Sequence, residues 1–453
     1  MVKLFGTDGI RSEINLWPLT PDFAVKIGQA AARVLARSSY NPRAIIGRDP
    51  RLSGHMLEHA LATGITSHGI EAILTGVVPT PGLAYLTRTK GAQFGVMISA
   101  SHNPFDHNGI KFFGADGFKI PDEAEEEMEH LLLTGDGALD PVGPAKLGES
   151  RYVNWQQDYA HHLVTTWEER YSLEGMRLVI DCADGATAAI APNVFGRLGA
   201  EIILHHCSPD GLNINQHYEY IYPHELADIV KEEEADAGIA FDGDGDRVML
   251  VDEKGGFVNG DAILAILARH LQQQEMLKGS VVVSTPMSNL GLRAALEEVN
   301  LSVEEVRVGD RFVLQRMRDM GYGLGGEQSG HILIMRDGQT TGDGIYTALA
   351  VLEAVMAQDD RSLAALADCF CELPECLVNI DVSHKPPLEE LPEIQAALEE
   401  LEHTFGDRVD INLRYSGTES KLRLKIRATE ALEQQLLETH AYRFAATARK
   451  IIG

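Results

Sequence analysis

The sequence predicts an α/β protein with three related α/β domains of mixed sheets and a smaller C-terminal α+β domain, arranged around a central cleft. Three observations lead to this fold class. The chain has 453 residues, which corresponds to about three or four domains at roughly 100 to 200 residues per domain. A unit of strand, helix, strand and polar loop recurs three times along the chain. A different pattern of strands and helices then follows.

Each copy of the repeat opens with a run rich in Val and Ile, which predicts a buried strand, and continues with a polar turn and a helical pattern. The opening segments are Ala44–Asp49, Leu178–Gly185 and Val281–Pro286. The second strands are predicted at Glu71–Thr75, Glu201–His205 and Val303–Val308. The loops rich in glycine and polar residues that follow are Gly95–Pro104, Gly238–Arg247 and Gly321–His331. Because α/β sheets bind ligands at the carboxyl ends of their strands, we expect these loops to meet at one cleft.

The C-terminal part of the chain changes to the order β-α-β-β-α, which is typical of a small α+β domain. Its strands are predicted at Leu377–Val382, Arg408–Tyr415 and Lys421–Arg427. Its helices are predicted at Leu388–Phe405 and Ala431–Ile452. The predicted domains are therefore 1–150, 151–250, 251–367 and 368–453.

Composition restricts the class of partner. The formal net charge is -28, which argues against nucleic acid and anionic membranes, because both are bound through clustered Lys and Arg. The amino terminus lacks the apolar segment of a secretory signal, and no run of about 18 apolar residues predicts a membrane helix. The five cysteines are too few for a disulfide framework. We expect a cytoplasmic protein with a small-molecule partner, no nucleic acid and no membrane, as a monomer or a homodimer.

The second repeat loop carries carboxylates at alternate positions, on Asp242, Asp244 and Asp246. The glycines between them allow a tight turn that directs all three inward, and oxygen ligands at this density suit Mg²⁺. An EF-hand is disfavoured, because Arg247 occupies the position that needs glycine and a strand follows where a helix should begin. A solvated acidic turn is the remaining alternative.

The first repeat loop places Ser101 at the position equivalent to the acidic loop. Lys111 follows closely in Asn108–Phe112 and brings a cation that can neutralise phosphate. A serine that carries a phosphoryl group has about 1.5 to 2 negative charges at pH 7, which a neighbouring metal offsets. We therefore interpret Ser101 as a phosphoryl carrier beside Mg²⁺.

The third repeat loop, Gly325–His331, offers the carboxylate of Glu327 and the hydroxyl of Ser329 for reading sugar hydroxyls. Glycines in and before this loop also satisfy a dinucleotide-binding fingerprint. That interpretation is rejected, because a helical segment precedes the glycines and a strand follows, the reverse of the required context.

The C-terminal domain contains the segment Arg414–Glu419. Four alternating cations follow it: Lys421, Arg423, Lys425 and Arg427. In an acidic protein this density of cations favours a phosphate-binding loop built from Arg, hydroxyls and glycine N–H groups. The alternative is a solvated strand face.

These four motifs, in this order, make the sequence resemble the α-D-phosphohexomutases over essentially its whole length. The resemblance implies a phosphoserine at Ser101 and one Mg²⁺ per chain. The implied metal ligands are Ser101, Asp242, Asp244 and Asp246. The implied substrate-binding residues are Glu327, Ser329, Arg414, Ser416, Gly417, Thr418 and Arg423. The implied catalytic residues are Ser101, Arg11, His102, Lys111, Arg247 and His331, with acid-base work assigned to Lys111 or His331.

Within the family, Phe5–Arg11 and Gln328 are similar to the members that act on glucosamine phosphates, although Ser12 and Ser420 stand where Gly and Pro are usual. The implied reaction interconverts glucosamine 6-phosphate and glucosamine 1-phosphate through a bisphosphorylated sugar, and feeds UDP-N-acetylglucosamine synthesis. One alternative is a phosphomannomutase/phosphoglucomutase. The other is a non-catalytic sugar-phosphate-binding protein, which is disfavoured because binding alone needs neither Ser101 nor the full acidic loop.

Overall fold

The computed structural model describes residues 3–6, 8–36, 41–135, 139–217, 222–416 and 420–453. The chain forms two compact units. The first comprises Met1–Pro286 and Glu304–Asp368, and the second comprises Met287–Val303 and Cys369–Gly453. Among the described helices, none has both the length and the apolar character needed to cross a membrane.

The first sheet has six strands. They are β1 (Ile10–Glu13), β2 (Arg43–Arg48), β3 (Glu71–Val77), β4 (Phe94–Ile98), β5 (His107–Gly114) and β6 (Ser150–Tyr152), in the order β1-β5-β4-β2-β3-β6. The parallel pairs are β2 with β3, β2 with β4, and β3 with β6, whereas β5 is antiparallel to β4 and β1. The accompanying helices are α1 (Pro21–Leu35), α2 (Leu52–Thr66), α3 (Thr80–Thr89) and α4 (Asp122–Thr134). The central strands are buried on both faces, as their near-continuous apolar runs require.

The second sheet has five strands. They are β7 (Arg177–Asp181), β8 (Glu201–His205), β9 (Ala237–Phe241), β10 (Val248–Asp252) and β11 (Phe257–Val258), in the order β11-β10-β9-β7-β8. β7 is parallel to β8 and β9, whereas β10 is antiparallel to β9 and β11. The helices are α5 (Gln156–Trp167), α6 (Ala191–Arg197) and α7 (His224–Glu232). Strand β11 of this sheet lies beyond residue 250, where the sequence predicts the end of the second domain. Strand β6 of the first sheet likewise continues beyond the predicted boundary at residue 150.

The third sheet has four strands, β12 (Val281–Ser284), β13 (Ser302–Glu305), β14 (Leu324–Gly326) and β15 (Ile332–Ile334), in the order β13-β12-β14-β15. β14 is parallel to β12 and antiparallel to β15. The helices of this region are α8 (Gly260–Gln273), α9 (Leu290–Glu297), α10 (Asp310–Met320), α11 (Gly344–Met356) and α12 (Leu363–Ala367). Asp343 caps α11, because its Oδ1 accepts a hydrogen bond from the Tyr346 amide at 2.9 Å.

One strand order is common to the three sheets. If the four strands of each repeat are numbered along the chain, they lie side by side in the order second, first, third, fourth. The three sheets contain this order as β3-β2-β4-β5, β8-β7-β9-β10 and β13-β12-β14-β15. The fourth strand is antiparallel to the third in each sheet. The prediction of three related α/β domains with mixed sheets is confirmed.

The second unit contains an antiparallel sheet of β16 (Glu375–Asp381), β17 (Val409–Tyr415) and β18 (Lys421–Ala428), in the order β16-β18-β17. Its helices α13 (Pro392–Phe405) and α14 (Gln434–Ile452) contribute to one apolar core with the sheet. The predicted β-α-β-β-α order is confirmed. Residues 287–303, predicted in the third domain, cluster with this unit, because the side chain of Asn289 bonds both the amide and the carbonyl of Leu373 at 2.9 and 2.8 Å. The four domain boundaries stay predictions.

Candidate active site

Ser101 lies in the loop after β4 and is almost fully buried, with 1% of its surface exposed. Its φ of 53° lies in the left-handed region, which is costly for a residue with a side chain. Three contacts hold it there. Its amide donates to Ser99 Oγ at 2.9 Å, and its carbonyl accepts from Asn215 Nδ2 at 2.8 Å and from Arg51 Nη2 at 3.2 Å. The Ser101 hydroxyl is therefore presented by a rigid turn.

The acidic loop connects β9 to β10 and brings three buried carboxylates together. Oxygen atoms of Asp242, Asp244 and Asp246 lie within 4.8 Å of one another. The turn reverses at Gly245, whose φ is 71°. The Ser101 hydroxyl donates to Asp242 Oδ2 at 2.6 Å. The structure thus joins the predicted phosphoryl carrier to the predicted metal ligands, and the flanking strands exclude an EF-hand.

This carboxylate set fits a divalent cation. The Oδ1 atoms of Asp244 and Asp246 are buried and make no hydrogen bond with the described residues. Burial, together with the charges of Asp246 and Asp244, raises the pKa of Asp242 well above its usual value. A cation among the three carboxylates would offset their repulsion and could bind the two oxygens that make no hydrogen bond. Hard oxygen ligands of this kind are those that Mg²⁺ prefers.

Lys111, on β5, lies against the same carboxylates and is buried. Its Nζ is 2.9 Å from Asp244 Oδ2, 3.3 Å from Asp246 Oδ2 and 2.9 Å from Asp8 Oδ2. Burial alone would lower the pKa of Lys111, but Asp244, Asp8 and Asp246 raise it well above its usual value. The arrangement therefore favours a fixed positive charge over a proton donor for Lys111.

Arg11, His102 and Arg247 surround the Ser101 turn. Arg11 Nη1 donates to the Ala100 carbonyl at 3.3 Å, and the Arg247 amide donates to Asp242 Oδ1 at 3.2 Å. His102 Nδ1 is 3.4 Å from Ser101 Oγ. Burial, with the charges of Arg247 and Arg11, lowers the pKa of His102 to about 4, so its imidazole is neutral near pH 7.

His331 links the third repeat loop to the acidic loop. Its Nδ1 lies 3.7 Å from Asp246 Oδ1, and its Nε2 lies 3.5 Å from Asp310 Oδ2. Burial would lower the pKa of His331, but the carboxylates of Asp246 and Asp310 raise it. His331 is therefore better suited than Lys111 to exchange a proton near neutral pH.

Glu327 and Ser329 precede His331 in the same loop. Glu327 Oε1 accepts a hydrogen bond from the Gly309 amide at 3.2 Å, which fixes the carboxylate at the start of α10. Ser329 Oγ is buried and makes no hydrogen bond with the described residues. An unpaired buried hydroxyl costs free energy, which a bound sugar hydroxyl would recover.

Models of one enzyme family match most of the chain. The descriptions are phosphoglucomutase/phosphomannomutase α/β/α domains I, II and III, over residues 2–137, 157–256 and 259–373, and the C-terminal domain, over residues 377–440. The chain belongs to the phosphoglucomutase/phosphomannomutase family. The expected resemblance to the α-D-phosphohexomutases is thereby confirmed.

Curated relatives carry a narrower name. The phosphoglucosamine mutase of Bdellovibrio bacteriovorus is 45% identical over 436 residues, which cover 94% of each chain. That of Geobacillus thermodenitrificans is 44% identical over 454 residues, and both chains are covered completely.

Solved structures share the fold at lower identity. A phosphoglucomutase/phosphomannomutase family protein of Burkholderia thailandensis is 23% identical, with a TM-score of 0.80 over 100% of this chain and 98% of its own. The N-acetylphosphoglucosamine mutase of Aspergillus fumigatus, solved in complex with GlcNAc-6P and magnesium, is 18% identical, with a TM-score of 0.65 over 99% and 96%.

In this phosphohexomutase the proposed phosphate loop follows β17, in the second unit. Arg414 stands directly opposite Arg423 in the β17–β18 register, so two cations face one another across the strands. Like charges in that position are destabilising unless an anion lies between them. The Ser416 carbonyl accepts from Lys385 Nζ at 2.6 Å. Gly417 and Thr418 lie outside the described residues.

Two cations of strand β18 pair with acidic residues of the neighbouring strands. Lys425 and Arg427 are buried rather than solvated. Lys425 Nζ lies 3.3 Å from Glu375 Oε2, and Arg427 Nε donates to Asp410 Oδ2 at 2.9 Å. These two cations are therefore not part of a solvated strand face.

Sequence reasoning missed several residues of the site. Asp8 forms ion pairs with Arg11, Lys111 and Lys119, and Thr80 Oγ1 donates to Asp244 Oδ2 at 2.6 Å. Asp8 lies within the Phe5–Arg11 motif, and Thr80 follows the second strand of the first repeat. These positions in the sequence could have identified both residues as part of the site. Lys119 carried no such signal.

Proposed function

We propose that this family member interconverts glucosamine 6-phosphate and glucosamine 1-phosphate through a phosphoryl group on Ser101. The observation that carries the proposal is the 2.6 Å hydrogen bond between Ser101 Oγ and Asp242 within the buried carboxylate set. The full-length similarity to curated phosphoglucosamine mutases supports the amino-sugar substrate.

The proposed reaction has two balanced transfers. In the first, the bond from phosphorus to Ser101 Oγ breaks as a bond forms from phosphorus to the free hydroxyl oxygen of the sugar monophosphate. The hydroxyl gives up its proton, Ser101 Oγ gains one, and the products are the Ser101 hydroxyl and a sugar bisphosphate. The bisphosphate then turns over in the site. Its other phosphoryl group passes to Ser101 Oγ, which loses its proton while the sugar oxygen gains one. The sugar monophosphate leaves with its phosphate on the opposite carbon, and phosphorylated Ser101 is restored.

Asp242, Asp244 and Asp246, with an oxygen of the Ser101 phosphoryl group, would hold Mg²⁺. The bound cation would offset negative charge on the transferred phosphoryl group. The site lies among low-dielectric surroundings, where fixed charges act strongly because little water screens them.

The remaining proposed roles follow from contacts. Arg11, Arg247 and Lys111 supply fixed positive charge around the Ser101 turn, with Arg247 Nε 3.9 Å from Asp246 Oδ1. The neutral imidazole of His102 lies beside Ser101 Oγ. His331 exchanges the proton of the sugar hydroxyl.

Binding of the substrate is assigned to the third repeat loop and to the proposed phosphate loop. Glu327 and Ser329 of the third repeat loop form hydrogen bonds with sugar hydroxyls. The phosphate that does not react is bound by Arg414, Ser416, Gly417, Thr418 and Arg423. A pair of opposed arginines suits a phosphate, because guanidinium groups bind its oxygens through charge-assisted hydrogen bonds.

A phosphomannomutase/phosphoglucomutase activity is the second candidate, since the family models carry that description. A coupled assay with glucosamine 1-phosphate, glucose 1-phosphate and mannose 1-phosphate separates the two. We expect the largest kcat/KM for glucosamine 1-phosphate. A larger value for either neutral sugar would reject the amino-sugar assignment. A preparation from host cells that lack the expressed chain, purified in parallel, measures contamination by a host mutase.

A further inference from the structure

A cluster of histidines lies at the carboxyl end of the second sheet, outside the proposed phosphoryl-transfer chemistry. His205 is the last residue of β8 and His206 follows it. His217 lies in the next loop, Glu225 is in the first turn of α7, and Asp181 ends β7. Three imidazoles and two carboxylates from separate segments therefore meet at one place.

The cluster brings potential metal-ligating atoms close together in two sets that overlap at His206. Ligand atoms of Asp181, His205 and His206 lie within 4.8 Å of one another, and so do those of His206, His217 and Glu225. The His205 and His206 ring centroids are 3.7 Å apart, and the His206 and His217 rings stack at 4.8 Å with an interplanar angle of 6°. Because an imidazole binds a metal ion in its ring plane, the exposed His217 would have to rotate out of this stack to share an ion with His206. His206 belongs to both sets and forms the centre of the cluster.

Two features indicate atoms available to a ligand. His205 Nε2 is buried, makes no hydrogen bond with the described residues, and lies 3.4 Å from Glu225 Oε1. His206 Nδ1 lies 3.1 Å from Asp181 Oδ2, and Asp181 Oδ1 accepts from the Ala183 amide at 2.8 Å. A carboxylate that fixes one ring nitrogen of a histidine is the usual partner of a metal-binding imidazole, and it leaves the other nitrogen for the metal.

We propose that His205, His206, His217 and Glu225 bind a divalent transition-metal ion of the Zn²⁺ class, with Asp181 orienting His206. Imidazole nitrogen suits Zn²⁺, Cu²⁺ and Ni²⁺, whereas Mg²⁺ prefers the all-oxygen set of the acidic loop. The two sites therefore select different ions. Metal binding would also fix the segment before His217, in which Asn215 holds the Ser101 carbonyl.

Zinc titration by calorimetry tests the proposal. The full chain is stripped with a chelator and then kept in excess Mg²⁺, so that the acidic loop is saturated before Zn²⁺ is added. We expect one Zn²⁺ per chain. Asp181→Asn should weaken this binding by about 10- to 100-fold, the usual cost of losing an orienting carboxylate. His206→Gln should weaken it further, because it removes a ligand.

Two controls make the result specific. His161 is an exposed histidine on α5, and His161→Ala should bind Zn²⁺ as tightly as wild type. Asp242→Asn should also retain Zn²⁺ binding, because the acidic loop is a different site.

The variant His217→Ala tests a single ligand. His217 is exposed, so this change removes a ligand without disturbing the core, and an unchanged melting temperature without zinc would confirm that the variant is folded.

Three outcomes would overturn the proposal. They are no Zn²⁺ binding by wild type in excess Mg²⁺, equal affinity in wild type and His217→Ala, or loss of binding in Asp242→Asn. Any of these would show that the histidines only stack on one another and pair with Glu225 and Asp181.

Discussion

Asn215 offers a direct test of how the Ser101 turn is held, because it carries no charge and its loss leaves the electrostatics of the site unchanged. Its Nδ2 donates to the carbonyls of Ser101 and Asn103, both at 2.8 Å. Asn215 itself has a φ of 58°, so glycine is the replacement that removes the side chain without backbone strain.

The expected magnitude follows from the two hydrogen bonds. Each contributes about 0.5 to 1.5 kcal/mol, so both together contribute about 1 to 3 kcal/mol. If that free energy positions Ser101 Oγ for transfer, Asn215→Gly should lower kcat about 5- to 150-fold. KM should change little, because the side chain bonds the backbone of the Ser101 turn and none of the proposed sugar-binding residues.

The matched control is Asn213→Ala, in the same loop. Asn213 also makes two side-chain hydrogen bonds, with the Asp210 amide at 2.9 Å and the Ser208 carbonyl at 3.1 Å, and neither reaches Ser101. Steady-state kinetics of both variants would be compared with wild type. Equal losses of kcat in the two variants, or a kcat for Asn215→Gly within about twofold of wild type, would refute the reasoning.

Three further predictions concern other parts of the chain. A Cβ on Gly243 would lie 2.8 Å from the Ser101 carbonyl oxygen, so Gly243→Ala should lower kcat more than Asn215→Gly does; an equal or smaller loss contradicts this. Burial raises the pKa of Asp343 to about 6 in the folded state. Between about pH 4 and 6 the folded state therefore binds a proton at Asp343 more tightly than the unfolded state does, and the stabilisation from this proton is lost as pH rises through 6. From pH 7.5 to pH 5, wild type should gain about 1 kcal/mol relative to Asp343→Asn in chemical unfolding, and parallel pH profiles would disprove it. Arg423→Ala should lower kcat/KM about 10- to 100-fold in both directions, since a charge-assisted bond contributes about 1.5 to 3 kcal/mol. A kcat/KM equal to that of wild type would indicate a solvated strand face.

Local patterns in the sequence predicted the parts of the site that each come from one loop. Ser101 and the three aspartates were identified because they occupy equivalent positions of a repeated unit, and the same strand order recurs in all three sheets. The fold class was predictable for the same reason.

Residues that act through long-range contacts were not predictable in this way. Thr80 and Asp244 are 164 positions apart, and Asn215 and Ser101 are 114 apart, so no local spacing relates them. The partners of the cations on β18 could not be predicted from the sequence either. Alternation correctly predicted a strand, but the pairing of Lys425 with Glu375 and of Arg427 with Asp410 joins residues far apart in the sequence.

The central claim is that Ser101 carries the phosphoryl group between the two positions of the sugar, and transfer of a labelled phosphoryl group tests it most directly. Wild type and Ser101→Ala would be incubated with glucosamine 1,6-bisphosphate labelled in its phosphoryl groups, and the labelled peptide identified by mass spectrometry. The account predicts label on Ser101 of wild type, its release as labelled bisphosphate when glucosamine 6-phosphate is added, and neither label nor turnover in Ser101→Ala. Label on another residue, or full turnover by Ser101→Ala, would contradict the account.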